Sequence, residues 1–172
     1  MLIFTQNLAV QHIFMKKTAN TNCQPSEYAF QAEIITILKL VLSQVYPNLG
    51  YRVLPEVREC NETGNRIQHL DTLLTDGDLP KYGLKLVVAA NQAEFDEHCV
   101  HAANYSCLHH CTTFLVNLSA EKKLDNYFGE GYPSVIPAHV IYDITTGSAD
   151  IVYEDGKKSV KMKGIDWEFM FD

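Results

Sequence analysis

Tyr82-Gly-Leu-Lys-Leu-Val-Val88 is the stretch that decides the fold of this 172-residue chain. It is almost wholly apolar, which is typical of a central strand buried on both faces of a sheet. Lys85 is the only charged residue inside it. Burying an isolated ammonium is costly, so Lys85 must reach solvent, a carboxylate or a ligand. The stretch therefore predicts a buried central strand that carries one charged side chain, Lys85.

In the segments on either side of this strand, the spacing of apolar residues is typical of alternating helices and strands. Upstream, apolar residues recur at helical spacing over 26–46, and two antiparallel strands follow at about 51–59 and 67–74. Downstream, Asn91 can cap a second helix to about residue 108, and Thr112–Leu118 has the character of another buried strand. We therefore expect an αβββαβ core over 26–118.

The pattern changes outside this core. Residues 1–25 show no steady period, and we treat them as a leader of uncertain structure. After a loop at 121–137, three short strand candidates at 138–143, 149–154 and 159–163 are joined by two hairpin turns. The prediction is one domain over 26–172, in which a C-terminal antiparallel β extension at 138–163 follows the core.

Composition excludes several classes of protein. The formal charge of −7 gives no general attraction to nucleic acid, so contact with DNA or RNA would have to be local or metal-assisted. No apolar window reaches the roughly 20 residues that span a bilayer. The five cysteines are an odd number without the paired spacing of a secreted disulfide scaffold. We expect an intracellular protein of the cytoplasm or nucleus, without a membrane partner.

Three polar side chains can converge at one end of the predicted sheet. They are Glu33 on the first helix, Asp71 in the second strand and Lys85, and Glu56 is a minor further candidate. Mg²⁺ takes one or two carboxylates together with water and phosphate oxygens, so two of these acids have the chemistry of a metal site. Asp71 is also the most economical partner for the Lys85 ammonium, and an ion pair between them would occupy that site.

The second helix places His98 and His101 on one stripe. A histidine facing the sheet there could act as a base or as a phosphate contact. The alternative is a solvated stripe opposite the buried face of an ordinary amphipathic helix.

Cys107-Leu-His-His-Cys111 contains residue types that bind zinc. Its C-x₃-C spacing lies at the edge of the usual patterns, and there is no second paired cluster. The alternative is a helix end with free thiols that are buried.

In element order and in these residues the chain resembles the PD-(D/E)XK nuclease-like superfamily, in particular its degenerate eukaryotic, mobile-element-associated branch. The resemblance covers roughly Tyr28–Leu118 and implies a restriction-endonuclease-like fold. It also implies Mg²⁺-dependent cleavage of phosphodiester bonds in DNA or RNA. The metal would lie on Asp71 and Glu33, and His101 or His98 would lie near the scissile phosphate.

Two positions depart from the family pattern. Lys85 stands where the family's E-x-K strand has its acid, and Val87 stands where that strand has its lysine. The resemblance then predicts a catalytically degenerate domain that retains binding to nucleic acid or protein, with Mg²⁺ as its cofactor only if a metal site survives. One alternative is an active Mg²⁺-dependent nuclease with Asp71 and Lys85 in its site and its missing groups supplied by Glu33, Glu56 or His101. The other is an unrelated non-catalytic α/β interaction domain, with or without zinc.

Overall fold

Two helices and seven strands make up the part of the chain described by this computed structural model, residues 27–60, 66–88, 91–119, 132–143, 148–153 and 158–162. In chain order they are α1 (Glu27–Val45), β1 (Arg52–Cys60), β2 (Arg66–Thr75), β3 (Lys81–Val88), α2 (Gln92–His109), β4 (Cys111–Ser119), β5 (Val135–Asp143), β6 (Ser148–Tyr153) and β7 (Lys158–Met162). The predicted α/β class is confirmed. The leader expected over 1–25 lies outside the described residues.

All seven strands belong to one sheet, in the order β1-β2-β3-β4-β5-β6-β7. Strands β1, β2 and β3 are antiparallel neighbours, β3, β4 and β5 are parallel, and β6 and β7 return to antiparallel pairing. Helix α2 is the crossover that parallel pairing of β3 with β4 requires.

The three strands of the predicted C-terminal extension, β5, β6 and β7, pair antiparallel with one another. Strand β5 lies parallel to β4, because the chain returns to the end of the sheet where β4 begins and pairs Val135 with Thr113. The extension therefore joins the core through one parallel pairing and continues the same sheet.

The two helices cover opposite faces of the sheet. Phe30 and Ile34 of α1 pack in one cluster with Leu86 of β3, whereas Phe95 of α2 packs in another with Val87. Consecutive residues of β3 therefore face different cores, which explains why nearly every position of that strand is apolar. None of the described helices is both long and apolar enough to cross a membrane.

Helix α2 has defined ends. Asn91 accepts a hydrogen bond from the Glu94 amide through its side chain, and the Glu94 carboxylate accepts one from the Asn91 amide, so the predicted cap is present as a capping box. His110 closes the helix in the left-handed region, with φ 50°. These caps fix where the side chains of α2 meet the sheet.

Candidate functional site

The site lies at the end of the β2–β3 ladder, where side chains instead of backbone groups make the hydrogen bonds. The ladder pairs residues 72–74 with residues 82–84. Next to it, Asp71 Oδ2 accepts a hydrogen bond of 2.5 Å from the Leu86 amide, and the Asp71 carbonyl accepts one of 3.0 Å from Gln31 Nε2. Buried backbone groups need partners, so Asp71 and Gln31 supply them at this point of the sheet.

The Lys85 ammonium forms the predicted ion pair with Asp71. Its Nζ lies 3.2 Å from Asp71 Oδ1, and the two side chains are only 7% and 1% exposed, respectively. One oxygen of the carboxylate thus contacts an ammonium and the other contacts a backbone amide. The pair is held inside the protein instead of facing solvent.

Glu56 lies across the β1–β2 ladder from Asp71. The register that pairs Pro55 with Thr72 and Val57 with Leu70 puts Glu56 at this level of the sheet. Its φ is 49°, a left-handed conformation that is uncommon for a residue other than glycine. Strand β1 is therefore distorted beside the ion pair, and the Glu56 side chain there is half-buried.

His98 is the histidine of α2 whose pKa is affected by the charges of the ion pair. Burial lowers its pKa, the Lys85 ammonium and His101 lower it further, and Glu97 and Asp71 act in the opposite direction. Its Nδ1 is buried and makes no hydrogen bond to the part of the chain that is described. His98 is half-buried on α2, and the Lys85 ammonium is near enough to affect its pKa.

His101, the histidine assigned to the site from the sequence, lies farther out on α2. Its Nε2 is 3.9 Å from Glu97 Oε1, and its ring centroid is 6.2 Å from that of His98 in an edge-on arrangement. Its side chain is 39% exposed. Both neighbours are on α2, so these contacts do not bring His101 to Asp71 or Lys85, and its place beside a phosphate stays a prediction.

The residue of α1 that reaches the site is Gln31, which the sequence reasoning missed. Gln31 is buried beside Phe30, whereas Glu33 is half-buried and makes no hydrogen bond or ion pair with another described residue. Two residues along a helix turn the side chain by about 200°, so Gln31 and Glu33 face different directions. No signal in the sequence separates the two, because Gln31 and Glu33 both flank the apolar stripe of α1.

The residues at the site do not fit Mg²⁺. Both oxygens of Asp71 have protein donors, and no group of three or more His, Cys, Asp or Glu side chains that could hold a metal occurs within the described ranges. The metal role predicted for Asp71 and Glu33 therefore stays a prediction without a geometry to support it. Val87, at the position of the family lysine, packs among Phe95 and Leu115.

The zinc alternative also lacks a cluster of ligands. Cys107 is exposed, whereas Cys111 is buried with its Sγ 3.6 Å from Thr113 Oγ1. His109 stacks on Tyr105 with 5.8 Å between ring centroids. The cysteines and histidines of the 107–111 segment, all described, form no metal-holding group.

No protein-family model matches this chain, and no curated protein matches it. Among solved structures it is similar to Pyrococcus furiosus SfsA in complex with Ca²⁺, with a TM-score of 0.37 and 11% sequence identity. The match covers 76% of this chain and 64% of the SfsA chain, which is less than two thirds of that protein. A likeness this distant carries no argument about the site or its activity.

Proposed function

We propose that this chain is a catalytically inactive, nuclease-like α/β domain in which an internal lysine stands in place of a metal ion. The observation that carries the proposal is the contact between Lys85 Nζ and Asp71 Oδ1, at 3.2 Å, between side chains that are almost fully buried. A tethered ammonium supplies at this point the positive charge that a divalent cation would otherwise supply.

The chemistry of phosphodiester cleavage supports this proposal. A catalytic Mg²⁺ needs carboxylate oxygens to hold it and open positions for water and a phosphate oxygen. Asp71 has neither oxygen free, and at 1% exposure its side chain gives no room for a phosphate beside it. The Lys85 ammonium would in addition repel a divalent cation.

The second departure from the family pattern acts in the same direction. A cation at position 87 would have to stabilise charge on the phosphate or orient the attacking water. Val87 is instead 3% exposed and packs under Phe95 of α2. No ammonium faces a substrate from this part of β3, because that of Lys85 lies on Asp71.

The direct test is incubation of the purified chain with single- and double-stranded DNA and RNA, with and without Mn²⁺. We expect no cleavage, and calorimetric titration should find no Mg²⁺ or Mn²⁺ binding that depends on Asp71. Binding of either nucleic acid without cleavage is the predicted residual function, and it can be measured on the same samples by gel shift. Cleavage that is lost in an Asp71→Asn variant would refute the proposal.

Lys85→Glu offers a sharper test, with Lys85→Gln as its matched control. Glutamate at position 85 would place a second carboxylate next to Asp71, and like charges at that separation destabilise the folded protein. We expect Mn²⁺ to raise the Tm of Lys85→Glu and to leave wild type and Lys85→Gln unchanged. A similar rise in all three proteins would show that Lys85 does not decide metal binding and would contradict the proposal.

A further inference from the structure

Helix α2 carries apolar side chains on the face that points away from the sheet. Val100 is 44% exposed and Leu108 is 57% exposed, although the opposite face of the same helix is buried against β3 and β4. Val100, Asn104, Cys107 and Leu108 are all exposed, and we call these four residues the outer stripe. Their spacing of i, i+4, i+7 and i+8 puts them on one side of the helix, as in helices that bind a partner helix.

The outer stripe begins next to an acidic turn. Asp96 and Glu97 lie one turn before Val100 on the same side of α2, both are exposed, and the Glu97 side chain is 71% exposed. The Asp96 carboxylate accepts a hydrogen bond from Gln92, a neutral group that leaves its charge in place. The surface thus combines a negative end with an apolar end.

This surface is organised before any partner arrives. The capping box at Asn91 and the left-handed cap at His110 hold both ends of α2, and Phe95 and Ala102, both 0% exposed, anchor the helix to the sheet. A preformed surface binds at a lower cost in conformational entropy than one that must order on contact.

We propose that the outer stripe, together with Asp96 and Glu97, is a docking surface for an amphipathic helix of another protein that carries apolar anchors and basic residues. The negative charges of Asp96 and Glu97 favour a basic partner over the other candidates. Nucleic acid would meet the acidic turn with its own negative charge. A lipid surface would require a basic polar face, and a second copy of this chain would bring another net charge of −7.

The proposal concerns α2 alone and does not depend on whether the Asp71 site is catalytic. The test uses a labelled synthetic peptide of about 18 residues, with leucine at i, i+3, i+4 and i+7 and lysine elsewhere, a length that supports a helix. We expect fluorescence anisotropy to report saturable binding that weakens as salt is raised to about 0.3 M.

Substitutions at exposed positions keep the fold and separate the two parts of the surface. The Val100→Gln/Leu108→Gln variant should bind the peptide at least about tenfold more weakly, a loss typical of removing apolar anchors. Asp96→Asn/Glu97→Gln should bind several times more weakly and with less dependence on salt. Leu40→Gln, at a residue of α1 that is also 44% exposed, is the matched control and should bind as wild type does.

Four results would overturn the proposal. They are the absence of saturable binding, equal binding by the Val100→Gln/Leu108→Gln variant, equal or tighter binding of a peptide with glutamate in place of lysine, and a wild-type dimer in light scattering that becomes monomeric in that variant. The last result would assign the outer stripe to a second copy of the chain.

Discussion

Asp71→Ala removes two partners at once, and the structure gives the size of the effect. It leaves the Lys85 ammonium, whose side chain is 7% exposed, without its carboxylate, which costs about 3–5 kcal/mol for a buried pair. It also leaves the Leu86 amide without its acceptor, which adds about 1–3 kcal/mol. Domains have a free energy of unfolding of about 5–15 kcal/mol, so we expect this variant to be close to unfolded.

A double-mutant cycle with Asp71→Asn and Lys85→Met measures the pair in proteins that still fold. Each single change removes one charge of the buried pair and should cost about 3 kcal/mol, a fall in Tm of roughly 6–12 °C. In the double variant the asparagine oxygen can still accept from Leu86, and no charge stays buried. We therefore expect the double variant to lie within about 1–2 kcal/mol of wild type.

The measurement is urea unfolding at neutral pH, followed by far-UV circular dichroism for wild type, both single variants and the double variant. A coupling energy near zero would refute the reasoning, because it would mean that Lys85 and Asp71 do not stabilise each other. An Asp71→Ala variant within about 1 kcal/mol of wild type would refute it independently.

Three further predictions concern pH, packing and thiol chemistry. Burial and a nearby ammonium lower the pKa of His98 in the folded protein, so the unfolded chain binds more protons. The urea midpoint should therefore fall as pH drops below about 6.5, and it should fall less in His98→Gln. Gly83→Ala should cost about 1–3 kcal/mol in the same unfolding assay, because its Cβ would lie 2.9 Å from Thr113 Oγ1. Burial raises the pKa of Cys99 to about 11, so peptide mapping after maleimide treatment at pH 7.5 should find exposed Cys107 labelled and Cys99 unmodified.

The ion pair could be predicted from the sequence because strands have a simple geometry. A lysine inside an apolar strand needs a partner, and β2 is its antiparallel neighbour, so the acid of β2 was the nearest candidate. The structure places Asp71 and Lys85 in contact. The apolar run of β3 likewise predicted a strand buried on both faces, and its alternate residues do pack against α1 and α2.

The helical partners of the site could not be predicted in the same way. Which side chain of α1 reaches β2 depends on how the helix is rotated and tilted against the sheet, and that is a result of packing. Gln31 and Glu33 are both polar residues near an apolar stripe, and the sequence does not say which one turns inward. For α2 the sequence placed His98 and His101 on one stripe, and only the packing of the helix against the sheet shows that the Lys85 ammonium lowers the pKa of His98.

The hydrogen bond from Leu86 to Asp71 limits what any change at position 85 could restore. Asp71 Oδ2 replaces a backbone acceptor at the junction of β2 and β3, so this oxygen is part of the sheet whatever residue stands opposite. Removing the Lys85 ammonium would take one donor away from Oδ1 and leave Oδ2 bonded to the Leu86 amide. A metal in Lys85→Glu would therefore be held by one oxygen of Asp71 and by the new carboxylate, and it should bind more weakly than at two carboxylates that are free on both oxygens. The Lys85 ammonium and the hydrogen bond from the Leu86 amide both block metal binding at Asp71, and a substitution at position 85 removes only the ammonium.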